Sequence, residues 1–149
     1  QLTQIKLAEF RGLVLTKMMI AQSKKITFQL EVLNAVDETY IKIDDLLRGL
    51  GILLDNAIEE AETAKDPFVS LVILKEENKI SILVKNVVSE KSNLFNIWKS
   101  GYSTKGKNRG LGLTSFRNIL EKYDNIAQET KIEGNQFIQT LMIMNCVES

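Results

Sequence analysis

The sequence KSGYSTKGKNRGLGL, from Lys99 to Leu113, is a polar, glycine-rich stretch that runs directly into an amphipathic segment. It contains four glycines and four cationic residues. Glycine lets another group approach the bare backbone, and a helix that begins at such a stretch directs unpaired N–H groups and the positive end of its dipole outward. This combination is typical of a phosphate-binding site, although an ordinary surface loop can have the same composition.

Length and composition indicate one compact domain over residues 1–149. The chain is 44% hydrophobic and 26% charged, with a single proline, so it can bury most of its apolar surface in one core. Lys plus Arg and Asp plus Glu are equal at 19 each. A chain without a basic excess lacks the electrostatic footprint of a nucleic-acid binder, and we expect no nucleic-acid partner.

The chain has no histidine and one cysteine, Cys146. These absences exclude a nucleophile activated by histidine and the common zinc sites, so any metal would be a hard cation with oxygen ligands. Cys146 cannot form an internal disulfide, which fits a reducing compartment. No apolar run approaches the roughly 18 to 20 residues of a membrane-spanning helix, and we expect no membrane contact by this domain.

Hydrophobic periodicity predicts three helices and five strands in the order α, β, α, β, β, α, β, β. The predicted helices are 4–23, 43–64 and 113–123, and the predicted strands are 26–32, 68–76, 79–87, 126–133 and 136–144. Strands joined by hairpins, with helices between them, favour an α+β two-layer sandwich with helices on one face of a mixed, mainly antiparallel sheet. The sequence has no Walker-type phosphate loop, and its glycine-rich turn does not follow the first strand as in a Rossmann fold.

The central predicted helix carries the sequence DNAIEEA, from Asp55 to Ala61. Asn56 and Glu59 are three residues apart and therefore lie close together on one helical face, where each can offer an oxygen to a metal ion. Asparagine is a poor helix former, and here it interrupts a leucine-rich stripe. Glu59 and Glu60 can equally form a solvated helix edge.

Two motifs in this order resemble those of the GHKL, or Bergerat-fold, ATP-binding domains, and within them the catalytic domain of sensor histidine kinases. DNAIEEA at 55–61 resembles the N box, and NIWKSGYSTKGKNRGLGL at 96–113 resembles the F box, ATP lid and G2 box. The order of the predicted elements matches over nearly the whole chain. The form of the lid is most similar to that of peptide quorum-sensing receptor kinases of the AgrC type.

The resemblance implies a site for ATP and Mg²⁺. Asn56 would be the Mg²⁺ ligand, and Glu59 and Glu60 would lie beside the triphosphate. Asn56, Glu59 and Lys105 are the implied catalytic residues. Residues 99–109 would form a mobile lid, with 103–109 poorly ordered without nucleotide, and 110–113 would be the fixed helix start that holds phosphate. The remaining implied nucleotide-binding residues are Thr104, Arg109, Gly110, Leu111, Gly112 and Leu113.

Four positions depart from the family pattern. Asn86 stands where the family has its adenine-reading aspartate, and its amide can still pair with the edge of an adenine. Val88 and Glu90 replace the two glycines of that motif, which predicts an altered adenine pocket. Ile52 stands where ATP-hydrolysing members have a glutamate base, which argues against independent ATPase activity.

The resemblance implies protein-histidine kinase activity in peptide quorum-sensing signal transduction. Since the chain has no histidine, the acceptor would lie outside it, and the domain is not expected to phosphorylate itself. The implied partners are the dimerisation and phosphoacceptor helices of the same sensor and a downstream response regulator. The resemblance also implies a monomeric cytoplasmic domain of a membrane-bound sensor kinase.

Three other classes of function remain compatible with these residues: a GHKL ATPase, a serine kinase of the same fold, and a non-catalytic module with a degenerate nucleotide site. The hydrophobic residues Phe95, Ile97, Trp98 and Tyr102 also have two interpretations. Phe95 and Trp98 can anchor the glycine-rich stretch on the core, or some of the four can dock on the acceptor helices.

Overall fold

Three α-helices pack on one face of a five-stranded mixed sheet in the computed structural model, which describes residues 1–88 and 107–145 and only the backbone of 107–113. The helices are α1 (Ala8–Ser23), α2 (Ile43–Glu62) and α3 (Lys107–Glu121). The strands are β1 (Thr27–Leu33), β2 (Phe68–Lys75), β3 (Lys79–Val87), β4 (Ile126–Glu133) and β5 (Gln136–Met144). The predicted two-layer α+β architecture is confirmed.

The sheet has the strand order β1-β2-β3-β5-β4. The β1–β2 pair is parallel, and the β2–β3, β3–β5 and β4–β5 pairs are antiparallel. The sheet is therefore mixed and mainly antiparallel, as predicted. Near the end of β3, Asn86 pairs with Val69 of β2 and with Phe137 of β5.

Helix α2 is central because its apolar stripe is wide enough to be covered from several sides. Its buried apolar residues are Leu46, Leu50, Leu53, Leu54, Ala57, Ile58 and Ala61. These side chains share one core with the helix-facing residues of the sheet, among them Leu71, Ile82 and Leu141. The first turn of α2 contains Asp44 and Asp45, whose charges complement the positive end of the helix dipole.

Helices α1 and α2 run side by side in the same direction. The Lys17 ammonium lies 2.6 Å from the Asp55 carboxylate, and Lys24, just after α1, lies 3.2 Å from Glu62 at the end of α2. The chain then reverses through a tight turn at Lys25, whose φ is +59°. Strand β1 therefore runs opposite to α1, and β3, antiparallel to β2 and hence to β1, runs in the same direction as α1 and α2.

The predicted strands at 79–87, 126–133 and 136–144 are confirmed at the same bounds, whereas two helices begin elsewhere than predicted. Helix α1 begins at Ala8, not at Gln4, because Ile5 forms an isolated parallel bridge with Val36. Helix α3 begins at Lys107, before the segment 113–123 that periodicity predicts and before the helix start at 110–113 that the resemblance implies. Two glycines in the first turns cost about 1 kcal/mol each relative to alanine, which is not enough to prevent the helix.

Residues 107–109, which the sequence assigned to a lid, therefore belong to α3. The rest of that lid, from 99 to 106, and the apolar residues Phe95 and Trp98 lie outside the described residues. In the described parts of the chain, no helix combines the length and the apolar character that a membrane crossing requires.

Candidate nucleotide-binding site

Helices α2 and α3 pack antiparallel. Phe116 of α3 lies beside Gly49 of α2, since a methyl group built on Gly49 would be 3.6 Å from the Phe116 ring. Seven residues later, Tyr123 donates a hydrogen bond to Asp45 in the first turn of α2. Residues later in α3 thus contact residues earlier in α2. The N-terminal turns of α3 consequently lie toward the C-terminal half of α2, where Asn56 is found.

Asn56 and Asn86 lie toward the same end of the sandwich. Asn56 is in the C-terminal half of α2, and Asn86 is the last residue but one of β3. Because α2 and β3 run in the same direction, both residues are displaced toward the end at which β3 finishes. The structure therefore brings two sequence-predicted site residues, thirty positions apart in the chain, toward one end of the sandwich. The first turns of α3 lie toward the same end.

The three polar residues of the α2 motif differ in exposure. Asn56 is half-buried, Glu59 is exposed, and Glu60 is buried with 6% of its surface exposed. Each of the three side chains has at least one interaction partner. The interpretation of both glutamates as a solvated edge is thus wrong for Glu60, because this residue is buried. A carboxylate is rarely buried unless its charge is compensated.

Asn86 is a buried amide on the helix-facing side of the sheet. Only 2% of its surface is exposed, and its Nδ2 donates a hydrogen bond of 3.0 Å to the carbonyl of Val87. Val84, two residues earlier on the same face, belongs to the hydrophobic core. Asn86 is therefore a buried polar residue on a sheet face that is apolar at Val84.

The remaining predicted residues lie in or before α3. Arg109, Gly110, Leu111, Gly112 and Leu113 belong to its first two turns, for which the backbone alone is described. Thr104 and Lys105 lie outside the described residues. Ile52, at the position where the resemblance implies a glutamate base in ATP-hydrolysing members, is partly buried and packs against the core.

A polar cluster that the sequence analysis did not single out lies on the same face as Asn86. Gln139 of β5 is 6% exposed, and its Oε1 accepts hydrogen bonds from Gln128 Nε2 at 2.5 Å and from Thr130 Oγ1 at 2.7 Å. Gln139 pairs with Val84 of β3 and with Thr130 of β4. The signal in the sequence was a glutamine at an alternate position of β5 that is otherwise apolar on this face.

A buried polar contact joins the first turn of α2 to the residues just after α3. The Tyr123 hydroxyl donates to Asp45 Oδ2 at 2.5 Å and accepts from the Lys42 backbone N–H at 3.3 Å, while Lys122 Nζ lies 3.3 Å from Asp45 Oδ1. The hydrogen bond from Tyr123, helped by Lys122, lowers the pKa of Asp45. Burial and the neighbouring carboxylate raise the pKa of Tyr123.

The residues at the site fit a magnesium ion that is held partly by its substrate. Within the described residues, no group of three or more histidine, cysteine, aspartate or glutamate side chains forms a ready metal cage. Mg²⁺ is usually held by one or two protein oxygens together with phosphate oxygens and water. The amide oxygen of Asn56 and the neighbouring carboxylates of Glu59 and Glu60 are a donor set of that kind.

The fold is that of histidine kinase catalytic domains. The catalytic domain of histidine kinase ThkA, in a nucleotide-free form, superposes with a TM-score of 0.66 at 20% identity, over 91% of this chain and 90% of that chain. The Acinetobacter baumannii histidine kinase AdeS superposes with 0.66 at 16% identity, over 93% and 66%. The mycobacterial sensor histidine kinase MprB superposes with 0.62 at 11% identity, over 91% and 93%.

No curated protein matches the chain in sequence. A family model, in contrast, supports the same assignment as the solved structures. The sequence pattern of the GHKL domain matches residues 41–144, a range that begins just before α2, ends with β5, and contains Asn56, Asn86 and the start of α3. The chain therefore belongs to the GHKL domain family.

Proposed function

We propose that this chain is the ATP-binding kinase domain of a sensor histidine kinase, which binds Mg·ATP and directs the γ-phosphate to a histidine on a separate dimerisation domain. One observation carries the proposal: Asn56 of α2 and Asn86 of β3 lie toward the same end of the sandwich, which the first turns of α3 also approach. Family membership over residues 41–144 supports it.

In this proposal each element supplies one part of the nucleotide site. Asn56 offers its amide oxygen to Mg²⁺, and Glu59 and Glu60 orient the ion and its water ligands. The unpaired backbone N–H groups at the start of α3 hold phosphate oxygens. Because α3 begins at Lys107, these are the N–H groups of its first four residues, 107–110, and not those of 111–113, which the resemblance implied. Arg109, Thr104 and Lys105 neutralise and bind the phosphates, and Asn86 reads the base.

Phosphoryl transfer asks the protein chiefly for positioning and for compensation of charge. Mg²⁺, when bound, neutralises the charge that develops on the phosphate oxygens. The protein side chains around it then need to hold the donor in line with its acceptor and to exclude water. An imidazole is nucleophilic at neutral pH, so a histidine acceptor requires no protein base.

The choice of a histidine acceptor over water rests on two features of the chain. Ile52 packs against the core at the position of the hydrolytic base, and an apolar side chain cannot activate water. The chain itself contains no histidine, so the acceptor is supplied by another segment. We place the domain on the cytoplasmic side of a peptide quorum-sensing receptor, upstream of a response regulator, because its glycine-rich stretch resembles that of AgrC-type kinases.

Transfer in trans tests this function. The chain is incubated with Mg·ATP labelled at the γ-phosphate and with the histidine-bearing dimerisation segment of the full-length protein. We expect acid-labile, base-stable phosphate on that segment and none on this chain. Acid-stable phosphate on serine would favour a serine kinase, and release of free phosphate without the segment would favour an ATPase.

Asn56→Ala is the variant that tests the metal ligand, and Asp55→Ala, at the neighbouring position of the same helix, is its control. The first change removes the proposed metal ligand and should abolish transfer. The second removes a carboxylate that is ion-paired with Lys17 and should leave transfer intact. Equal transfer by both variants would contradict the role of Asn56.

A further inference from the structure

Two buried amide side chains lie next to each other on the helix-facing side of the sheet. Asn86 is 2% exposed and Gln139 is 6% exposed. The register pairs Asn86 with Phe137 and Val84 with Gln139, so Asn86 and Gln139 are diagonal neighbours on adjacent antiparallel strands. Such neighbours are roughly 7 to 8 Å apart, which long side chains can span with one small ligand group between them.

The local hydrogen bonds fix which atom each amide has left to offer. Asn86 uses Nδ2 to donate to the Val87 carbonyl, which leaves Oδ1 as an acceptor. Gln139 uses Oε1 to accept from Gln128 and Thr130, which leaves the two N–H groups of Nε2 as donors. Among the described residues, none donates to Asn86 Oδ1 and none accepts from Gln139 Nε2. A buried amide group without a partner costs about 1–3 kcal/mol, so a ligand that pairs with both atoms would recover this cost.

We propose that Gln139 is a second base-reading residue, which donates a hydrogen bond to N1 of adenine, directly or across one water, while Asn86 Oδ1 accepts from the N6 amino group. This inference rests on the proposed function and deepens it. Adenine presents a donor at N6 beside an acceptor at N1, which is the complement of an acceptor from Asn86 beside a donor from Gln139. An asparagine alone, free to turn its amide over, would read this edge less strictly than an aspartate does.

The same arrangement disfavours guanine. Guanine presents an acceptor at O6 and a donor at N1, so both its groups would meet like partners at Asn86 and Gln139. Reversing the Asn86 amide would break its bond to Val87. Reversing the Gln139 amide would set its Nε2 donor against the Gln128 Nε2 donor and would turn the Thr130 hydroxyl from donor to acceptor. Gln128 and Thr130 therefore act as positioning residues, since they hold Gln139 in the orientation that selects adenine.

The experiment compares ATP with 1-deaza-ATP, in which a C–H replaces the N1 acceptor. Affinities for the wild-type chain are measured by calorimetric titration in excess Mg²⁺. Loss of one neutral hydrogen bond is worth about 1 kcal/mol, which corresponds to about fivefold in Kd. We expect 1-deaza-ATP to bind the wild type about fivefold to tenfold more weakly than ATP.

Three variants locate the effect. Gln139→Met keeps the length and most of the volume of the side chain but removes the donor, so it should bind ATP and 1-deaza-ATP equally. Gln136→Met changes a glutamine on the opposite face of β5 and should retain the preference of the wild type. Thr130→Val removes one anchor of Gln139 and should reduce the preference without removing it.

The outcomes separate this inference from the proposed function. Wild-type chain that binds ATP and 1-deaza-ATP with the same Kd would overturn the role of Gln139 and leave the nucleotide site standing. Wild-type chain that binds neither nucleotide at millimolar concentration would overturn both. The comparison of two ligands on the wild type needs no variant, so it decides the role of Gln139 even if the Gln139→Met chain fails to fold.

Discussion

Asn56 is the residue on which the proposed metal site depends. It is half-buried on α2, one turn before the buried Glu60. An asparagine costs a helix several tenths of a kcal/mol relative to leucine, yet it interrupts an apolar stripe that leucine would extend. That cost is offset if the amide oxygen binds an ion.

Replacing Asn56 should therefore weaken nucleotide binding in a Mg²⁺-dependent way. Because a hydrogen bond or ion contact to a charged group is worth about 1.5–3 kcal/mol, Asn56→Ala should raise the Kd for ATP about tenfold to a hundredfold with Mg²⁺ present. With Mg²⁺ chelated, the variant and the wild type should bind ATP alike. Calorimetric titration of both proteins, with Asp55→Ala as the control, measures the difference.

Tyr123 is the residue that fastens α3 to the start of α2. Its hydroxyl donates to the Asp45 carboxylate and accepts from the Lys42 N–H. Tyr123→Phe removes both bonds and leaves a buried carboxylate with fewer donors, so we expect a loss of about 1–3 kcal/mol in the free energy of unfolding. Urea denaturation measures it, and an unchanged midpoint would show that the contact contributes nothing.

Acid should remove the contribution of Asp45 to stability. The hydrogen bond from Tyr123 holds the pKa of Asp45 below its ordinary value of 3.8, so the folded state binds this proton more weakly than the unfolded chain does. The stabilisation is then fully present above pH 3.8 and is lost as the pH falls through the folded-state pKa. Asp45→Asn should show a shallower decline of stability below pH 4 than the wild type in pH-dependent denaturation.

The packing of α2 against α3 controls where the first turns of α3 lie. Gly49 faces the Phe116 ring, and a methyl group there would make an ordinary contact at 3.6 Å. Gly49→Ala should therefore stabilise the fold by about 0.5–1 kcal/mol through helix propensity. Gly49→Leu should destabilise it by about 1–3 kcal/mol, since the larger side chain would overlap the ring and displace α3.

Nucleotide affinity distinguishes phosphate binding by α3 from a purely structural role. If the backbone at the start of α3 holds phosphate, the displacement of α3 in Gly49→Leu should also weaken ATP binding. Gly12→Ala is the control, because a methyl group at Gly12 has no neighbour within 4 Å. A folded Gly49→Leu chain with wild-type affinity for ATP would count against phosphate binding by α3.

The elements that local sequence patterns define were predicted well. Strands β4 and β5 were predicted at their observed bounds, because two segments that contain β-branched and apolar residues flank a turn at Gly134, whose φ of +59° favours glycine. The start of α1 was predicted wrongly, because the bridge from Ile5 to Val36 depends on residues that are far apart in the chain. The start of α3 was also wrong, because glycine weakens a helix without forbidding it.

The candidate site could be predicted only where a motif marked it. Asn56 and Asn86 were identified by resemblance, and the parallel course of α2 and β3 brings them toward the same end of the sandwich. Gln139 was missed, although its position on the apolar face of β5 was visible in the sequence. Its orientation depends on Gln128 and Thr130 across the β4–β5 pair, and no local pattern shows such a cross-strand network.

The whole molecule unites groups that are far apart in the chain. The proposed site draws on α2, β3, β5 and α3, and their relative positions depend on the complete sheet and on the core beneath the helices. A ligand that binds these elements together therefore binds only the folded state. Such binding must raise stability by mass action, by about 2.7 kcal/mol at a hundred times the Kd.

Thermal unfolding with and without millimolar Mg·ATP measures whether this fold carries a nucleotide site, on which every other proposal depends. We expect Mg·ATP to raise the midpoint of the wild-type chain, and Asn56→Ala to show a much smaller rise at the same concentration. An identical midpoint of the wild type with and without Mg·ATP would contradict the presence of the site.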